Sequence, residues 1–156
     1  MPGLQKNLVT GASGLLGANL VTHYAPLSEC TGWFSNNMIS IQRASTERID
    51  ITDHESVSSA LDRLRPDLII HCAAATNVEW CEKNPELARK INEDATEFLA
   101  KKAVEIGANF VFTSTDSVFD GTIGTFPKKL SPGHSIPTPL AKSVPSRLSP
   151  LRTRVH

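Results

Sequence analysis

Eight residues near the start of the chain, Thr10-Gly11-Ala12-Ser13-Gly14-Leu15-Leu16-Gly17, have the types and spacing to hold a phosphate. They follow a short apolar run, Lys6–Thr10, and open a stretch in which Leu16, Leu20 and Tyr24 recur every four residues, as on a helix. In a strand–turn–helix setting Gly11 permits the tight turn, Gly14 lets the backbone approach a pyrophosphate, and Gly17 allows close helix–sheet packing. The helix N-terminus adds N–H groups and the positive end of a dipole. No GK[ST] follows, so the loop is not a P-loop. The pattern predicts dinucleotide binding; the plainer alternative is a glycine turn with no ligand.

Two further places suit the same ligand. Asp50-Ile51 lies at the end of the third expected strand, at the carboxyl rim where parallel sheets bind ligands. There Asp50 can accept a hydrogen bond from an adenine amino group while Ile51 packs near the ring, or Asp50 is only a strand-end residue beside a helix cap. Ala73-Ala74-Ala75 offers either a smooth bed for a nucleotide or a small-residue turn. The five histidines and three cysteines show no metal-ligand spacing, so no metal site is expected. His71, inside an apolar run, reads as a core histidine.

These residues need a scaffold. Strands are predicted at Lys6–Thr10, Thr31–Ser35, Arg48–Ile51, Leu68–Cys72 and Phe110–Thr113, the last two of a buried type. A helix follows the glycine loop. A second spans Asp53–Leu64, capped by Asp53, with Val57, Ala60, Leu61 and Leu64 inward. The longest helical pattern, Glu86–Ile106, puts Leu87, Ile91, Ala95, Leu99 and Ala103 on one face and stops at Gly107. This alternation predicts an α/β fold, a partial Rossmann-like doubly wound parallel sheet over residues 1–121, with an irregular tail over 122–156.

Composition supports the division. The 156 residues carry 16 Lys and Arg against 16 Asp and Glu. Residues 1–120 hold ten of the basic and all sixteen acidic residues, a net of −6; residues 121–156 hold six basic and no acidic residues, a net of +6. Six of the ten prolines fall in that last stretch, leaving no window for an ordinary helix. A neutral chain excludes a strongly basic nucleic-acid binder, and the tail has no aromatic ladder for stacking bases. No leader is visible and no apolar run approaches ~18 residues, so a membrane span is not expected. Three cysteines without CxxC spacing read as reduced thiols in a cytoplasmic protein.

Four segments, TGASGLLG (10–17), DITD (50–53), PDLIIHCAAATNVEWCEKNPELARKIN (66–92) and FTSTDSVFDG (112–121), together resemble the dTDP-4-dehydrorhamnose reductase family of the extended short-chain dehydrogenase/reductase superfamily. The resemblance implies NAD(P)H-dependent reduction of a 4-keto-sugar nucleotide. It makes Gly11, Ser13, Gly14, Leu15, Leu16 and Gly17 the pyrophosphate loop, Asp50 and Ile51 the adenine-side contacts, and Ala73, Ala74 and Ala75 the bed of the nicotinamide-side ribose. Asn92 and Asp116 become active-site supports. Thr115 becomes the catalytic hydroxyl that orients the substrate carbonyl. Ser117 departs from the family's usual aromatic. The wider group includes a regulatory subunit associated with methionine adenosyltransferase, a precedent for use without catalysis.

The family also requires a Tyr to protonate the developing alkoxide and a Lys four residues later. In the matching run, Pro137-Thr138-Pro139-Leu140-Ala141-Lys142-Ser143-Val144, those positions hold Leu140 and Val144. Lys142 is displaced by two residues, a rotation of ~200° on a helix. Tyr24, the single tyrosine, lies in the first helix. The sequence therefore predicts a chain of about half the family's length, inactive as a reductase in this form: either a catalytically dead nucleotide-binding or regulatory module or a truncated product without independent function. A shifted reading frame near residues 121–130 is a candidate origin of the tail. The expected cofactor is NADP or NAD: Phe34-Ser35-Asn36-Asn37 offers neither the acid nor the base that would choose. Oligomeric state is not legible.

Overall fold

Leu8 and Val9 sit side by side in the first strand and are both fully buried, which a strand achieves only when the sheet is covered on both faces. The computed structural model describes residues 4–114. Thr115, Asp116, Ser117, Leu140, Lys142, Val144 and the expected boundary at 121/122 lie outside the described residues. Strands β1 (Lys6–Thr10), β2 (Glu29–Phe34), β3 (Ser45–Arg48), β4 (Leu68–His71) and β5 (Asn109–Phe112) form one parallel sheet in the order β3-β2-β1-β4-β5. The order reverses between β1 and β4. That is the switch point where such sheets receive ligands.

Helix α1 (Leu15–Tyr24) covers one face, where Val21 packs with Val9, Ala12, Cys30 and Ile70. Helices α2 (His54–Leu64) and α5 (Ala95–Ile106) cover the other, where Val57, Ala60, Leu61, Leu99 and Ala103 meet Leu8, Trp33 and Ile69. Doubly wound Rossmann-like architecture is the result. Asp53 caps α2 as expected, accepting from Glu55 N and Ser56 N at 3.2 Å each. The Ser56 hydroxyl and backbone N–H hold its carboxyl below the usual carboxylate range. Gly107 ends α5 in the left-handed region, φ 76°.

Several boundaries differ from the sequence expectation. Strand β3 runs over Ser45–Arg48, not Arg48–Ile51, because Thr31 to Phe34 pair with Ser45 to Arg48, after which the chain turns into α2. Asp50 makes that turn, accepting from Thr52 N and Thr52 Oγ1 at 2.9 and 2.8 Å. The buried residues of α1 are Gly17 and Val21, so Leu16 faces solvent. Within β5, expected as a buried strand, Val111 is 48% exposed, since β5 pairs with β4 alone among the described strands.

The single helix expected at Glu86–Ile106 is three pieces: α4 (Pro85–Arg89), a π-helical turn (Lys90–Asp94) and α5, preceded by an unforeseen short helix α3 (Val78–Lys83). Leu87, expected inward, is 49% exposed, and Ala88 and Asn92 are buried instead. A polar residue takes the inward position because its amide has a task there.

Candidate nucleotide-binding site

The chain leaves β1 at Thr10 and turns at Gly11, whose φ of 69° suits glycine. A Cβ built on Gly11 would lie 2.6 Å from Ala73 N and 2.7 Å from Ala73 Cα, so this glycine also lets the loop touch the segment after β4. Gly17 serves a different contact from the one its spacing suggested. Its added Cβ would stand 2.2 Å from Gly11 O, so helix α1 packs against the loop's own backbone. The close helix–sheet approach falls to Gly32 of β2, where a Cβ would meet Ala12 Cβ at 2.8 Å and Val21 Cγ2 at 3.1 Å. Gly32 was not singled out from sequence, although a glycine inside a strand is a signal of close approach.

Between those contacts the loop is open. Ser13, Gly14, Leu15 and Leu16 are exposed, Leu15 at 88%. Gly14 stands at the N-cap of α1 with no side-chain cap, and the first turn carries no acid. Helix α2, by contrast, has Asp53 on its first N–H groups. An uncapped N-terminus lined by exposed glycine backbone suits an anion, and a phosphate there supplies the missing acceptor. These residues fit a dinucleotide.

Opposite the loop, Ala73, Ala74 and Ala75 are half-buried. Asn92 clasps Ala75 with both ends of its amide: Oδ1 accepts from Ala75 N at 2.8 Å and Nδ2 donates to Ala75 O at 3.0 Å. Cys81 Sγ donates to the same carbonyl at 3.6 Å. A chain of buried bonds continues from there. Thr96 Oγ1 donates to Asn92 O at 2.8 Å and lies 3.0 Å from His71 Nε2, whose Nδ1 is 2.6 Å from Thr10 Oγ1. Thr10 Oγ1 accepts from Ala73 N at 3.3 Å. The neutral imidazole with its proton on Nε2 satisfies this order, Nε2 donating to Thr96 and Nδ1 accepting from Thr10. His71 is thus a core histidine that ties β1, β4 and α5 together beneath the loop. Spacing alone does not reveal this relay, because its members are 25 and 61 residues apart.

The adenine-side candidates lie beyond β2. Ile51 is buried and Asp50 is exposed in its turn with Thr52. Ala12 N donates to Trp33 O and Ile49 N to Phe34 O, both at 2.9 Å, which joins the glycine loop, the end of β2 and the Asp50 turn into one rim. Thr115 and Asp116 follow immediately on the described residues. Among the described residues no cluster of His, Cys, Asp or Glu could hold a metal ion, and no helix is long and apolar enough to cross a membrane.

Residues 5–140 match the family described as the RmlD substrate binding domain. The chain belongs to this family. As an RmlD family member it has the NAD(P)H-binding fold that the motifs implied, and the resemblance to dTDP-4-dehydrorhamnose reductases is borne out. Over 156 residues, 100% of the chain, it is 33% identical to methionine adenosyltransferase 2 subunit beta of Xenopus tropicalis, covering 44% of that relative. A hypothetical dTDP-4-dehydrorhamnose reductase from Sulfolobus tokodaii has a similar structure, with a TM-score of 0.74 and 33% identity over 92% of this chain and 50% of that one. The dTDP-4-dehydrorhamnose reductase of Bacillus anthracis, solved in complex with NADP, gives a TM-score of 0.65 and 30% identity over 79% and 40% of the two chains. This RmlD family member spans less than half the length of the curated relatives it matches.

Proposed function

We propose that this chain is a nucleotide-binding module of the RmlD family that holds NAD(P)H in a regulatory role and does not itself reduce a 4-keto-sugar nucleotide. The open N-terminus of α1 carries the binding half of this reading. Its exposed Ser13–Leu16 backbone receives the pyrophosphate, Ala73 to Ala75 bed the nicotinamide-side ribose on the Asn92 clasp, and Asp50 and Ile51 face the adenine side. A bound NAD(P)H supplies hydride to a carbonyl; the chain must supply the proton.

That supply is what the residues lack. Leu140 and Val144 stand at the family's Tyr and Lys positions. Tyr24 lies at the far end of α1 from the phosphate loop, about 14 Å away at 1.5 Å per residue. Without an acid near the carbonyl oxygen, general acid catalysis worth about 10²–10⁴-fold is lost. The likeness along the whole chain to a protein named as a subunit of methionine adenosyltransferase favours a binding and regulatory use.

Calorimetry with NADPH and a 340 nm assay of NADPH oxidation with a dTDP-4-keto sugar, on one purified sample, test both halves. Micromolar binding without oxidation is expected. Oxidation would make the chain a reductase, and no binding at millimolar nucleotide would end the nucleotide reading.

A further inference from the structure

Phe34-Ser35-Asn36-Asn37, where the chain leaves β2, carries neither the acid that accepts a ribose 2′-hydroxyl nor a base for a 2′-phosphate, and the one base of the connection, Arg43, stands eight residues beyond Ser35. The sheet register supplies a base from the neighbouring strand. Arg48, the last residue of β3, pairs with Phe34, the last residue of β2. Its Nε donates to Ser35 O at 3.0 Å, which holds the guanidinium over the first residue beyond β2. Arg48 is exposed and forms no ion pair among the described residues, so its two terminal amino groups remain available.

The acids of the same rim are committed elsewhere. Glu47 pairs with Arg63 across to α2. Asp50 is held in its turn by Thr52, and Asp53 caps α2. No acid lies anywhere between Glu29 and Glu47, the whole connection that would meet an adenosine ribose.

We infer that Arg48 is the specificity residue of the nucleotide site, and that its guanidinium receives the 2′-phosphate of NADP(H) in preference to the free ribose of NAD(H). The inference rests on the nucleotide-binding reading above. Planar guanidinium on a phosphate dianion makes short, charge-assisted bonds, whereas a ribose hydroxyl offers no charge to match. Anchoring Nε on Ser35 O fixes the plane before the ligand arrives, so little is lost in ordering it.

Titrating the full chain with NADPH, NADH, adenosine 2′,5′-bisphosphate and ADP, by calorimetry, tests this without an activity assay. The wild type should favour each 2′-phosphorylated member of the two pairs by about tenfold or more. Arg48→Gln should bring that ratio to about twofold or less while leaving the Kd for NADH and the thermal melt unchanged. Arg48→Lys, which keeps the charge but loses the planar fork and its Nε anchor, should recover only part of the preference, and added salt should erode it. Equal affinity for NADPH and NADH in the wild type, or a preference untouched by Arg48→Gln, would overturn the assignment and leave nucleotide binding intact. Absence of binding by all four would overturn both.

Discussion

Gly14 and Gly17 lie three residues apart in one motif, and a methyl group added to each meets different surroundings. At Gly17 the nearest atom, 2.2 Å away, is the backbone oxygen of Gly11, which no side-chain rotation can relieve. At Gly14 the nearest atom is the same oxygen at 3.3 Å, and its φ of −82° is open to any residue. Helix propensity favours alanine over an interior glycine by about 1 kcal/mol, so propensity alone would have Gly17→Ala stabilise the chain. Overpacking against fixed backbone costs about 1–3 kcal/mol, and more where nothing can shift, so packing wins. Gly17→Ala should therefore lower the urea midpoint clearly, while Gly14→Ala changes stability by less than about 1 kcal/mol. A Gly17→Ala chain as stable as the wild type would show that α1 can lift off the loop. The motif showed that these glycines matter; which neighbour each one admits required coordinates.

At the scale of elements, what the sequence hides is where polarity is turned inward. Apolar spacing located α2 almost to the residue, because Val57, Ala60 and Leu61 are both apolar and buried. The same reasoning joined Glu86–Ile106 into one helix and chose Leu87 for the interior. The structure buries Asn92 at 2% exposure, in a π-helical turn of the kind that often marks functional sites. Only its partner, Ala75, 17 residues away, explains the choice. Asn92→Ala leaves the half-buried Ala75 N–H without its acceptor, a loss of about 1 kcal/mol, the low end of the range for an unsatisfied donor. The expected outcome is a lower melting temperature together with faster hydrogen exchange at the Ala75 amide. Exchange at Ala75 matching the wild type would mean that the clasp does not hold this segment. Arg48 belongs to this scale too: on the chain it is 13 residues from Ser35, and β2–β3 register alone brings them together.

For the whole molecule, the parallel sheet with both faces covered was legible because consecutive apolar residues, Leu8-Val9 in β1 and Leu68-Ile69-Ile70 in β4, alternate in sequence with helical patterns. The strand order and the relay through His71 were not, since both depend on contacts distant in sequence. The two faces also differ in what they bury. Between α1 and the sheet lies Cys30, whose thiol burial pushes up to about 11 from an ordinary value near 9. In the unfolded chain the thiol ionises near 9, so between pH 9 and 11 the unfolded state has released a proton that the folded state keeps. The folded state then binds more protons, and stability must fall as pH rises. The contribution is fully present below about pH 9 and is lost as pH passes 11. Two pKa units correspond to about 2–3 kcal/mol for the cooperative unit. Urea unfolding at intervals from pH 8 to 11 should show the wild type losing more stability than Cys30→Ala by about that amount. Lost packing in the variant is a constant offset at every pH, so the diverging slopes carry the readout. Parallel curves would show that the α1 face opens to admit the thiolate without unfolding the sheet, and α1 would then be a unit of lower stability than the α2–α5 face.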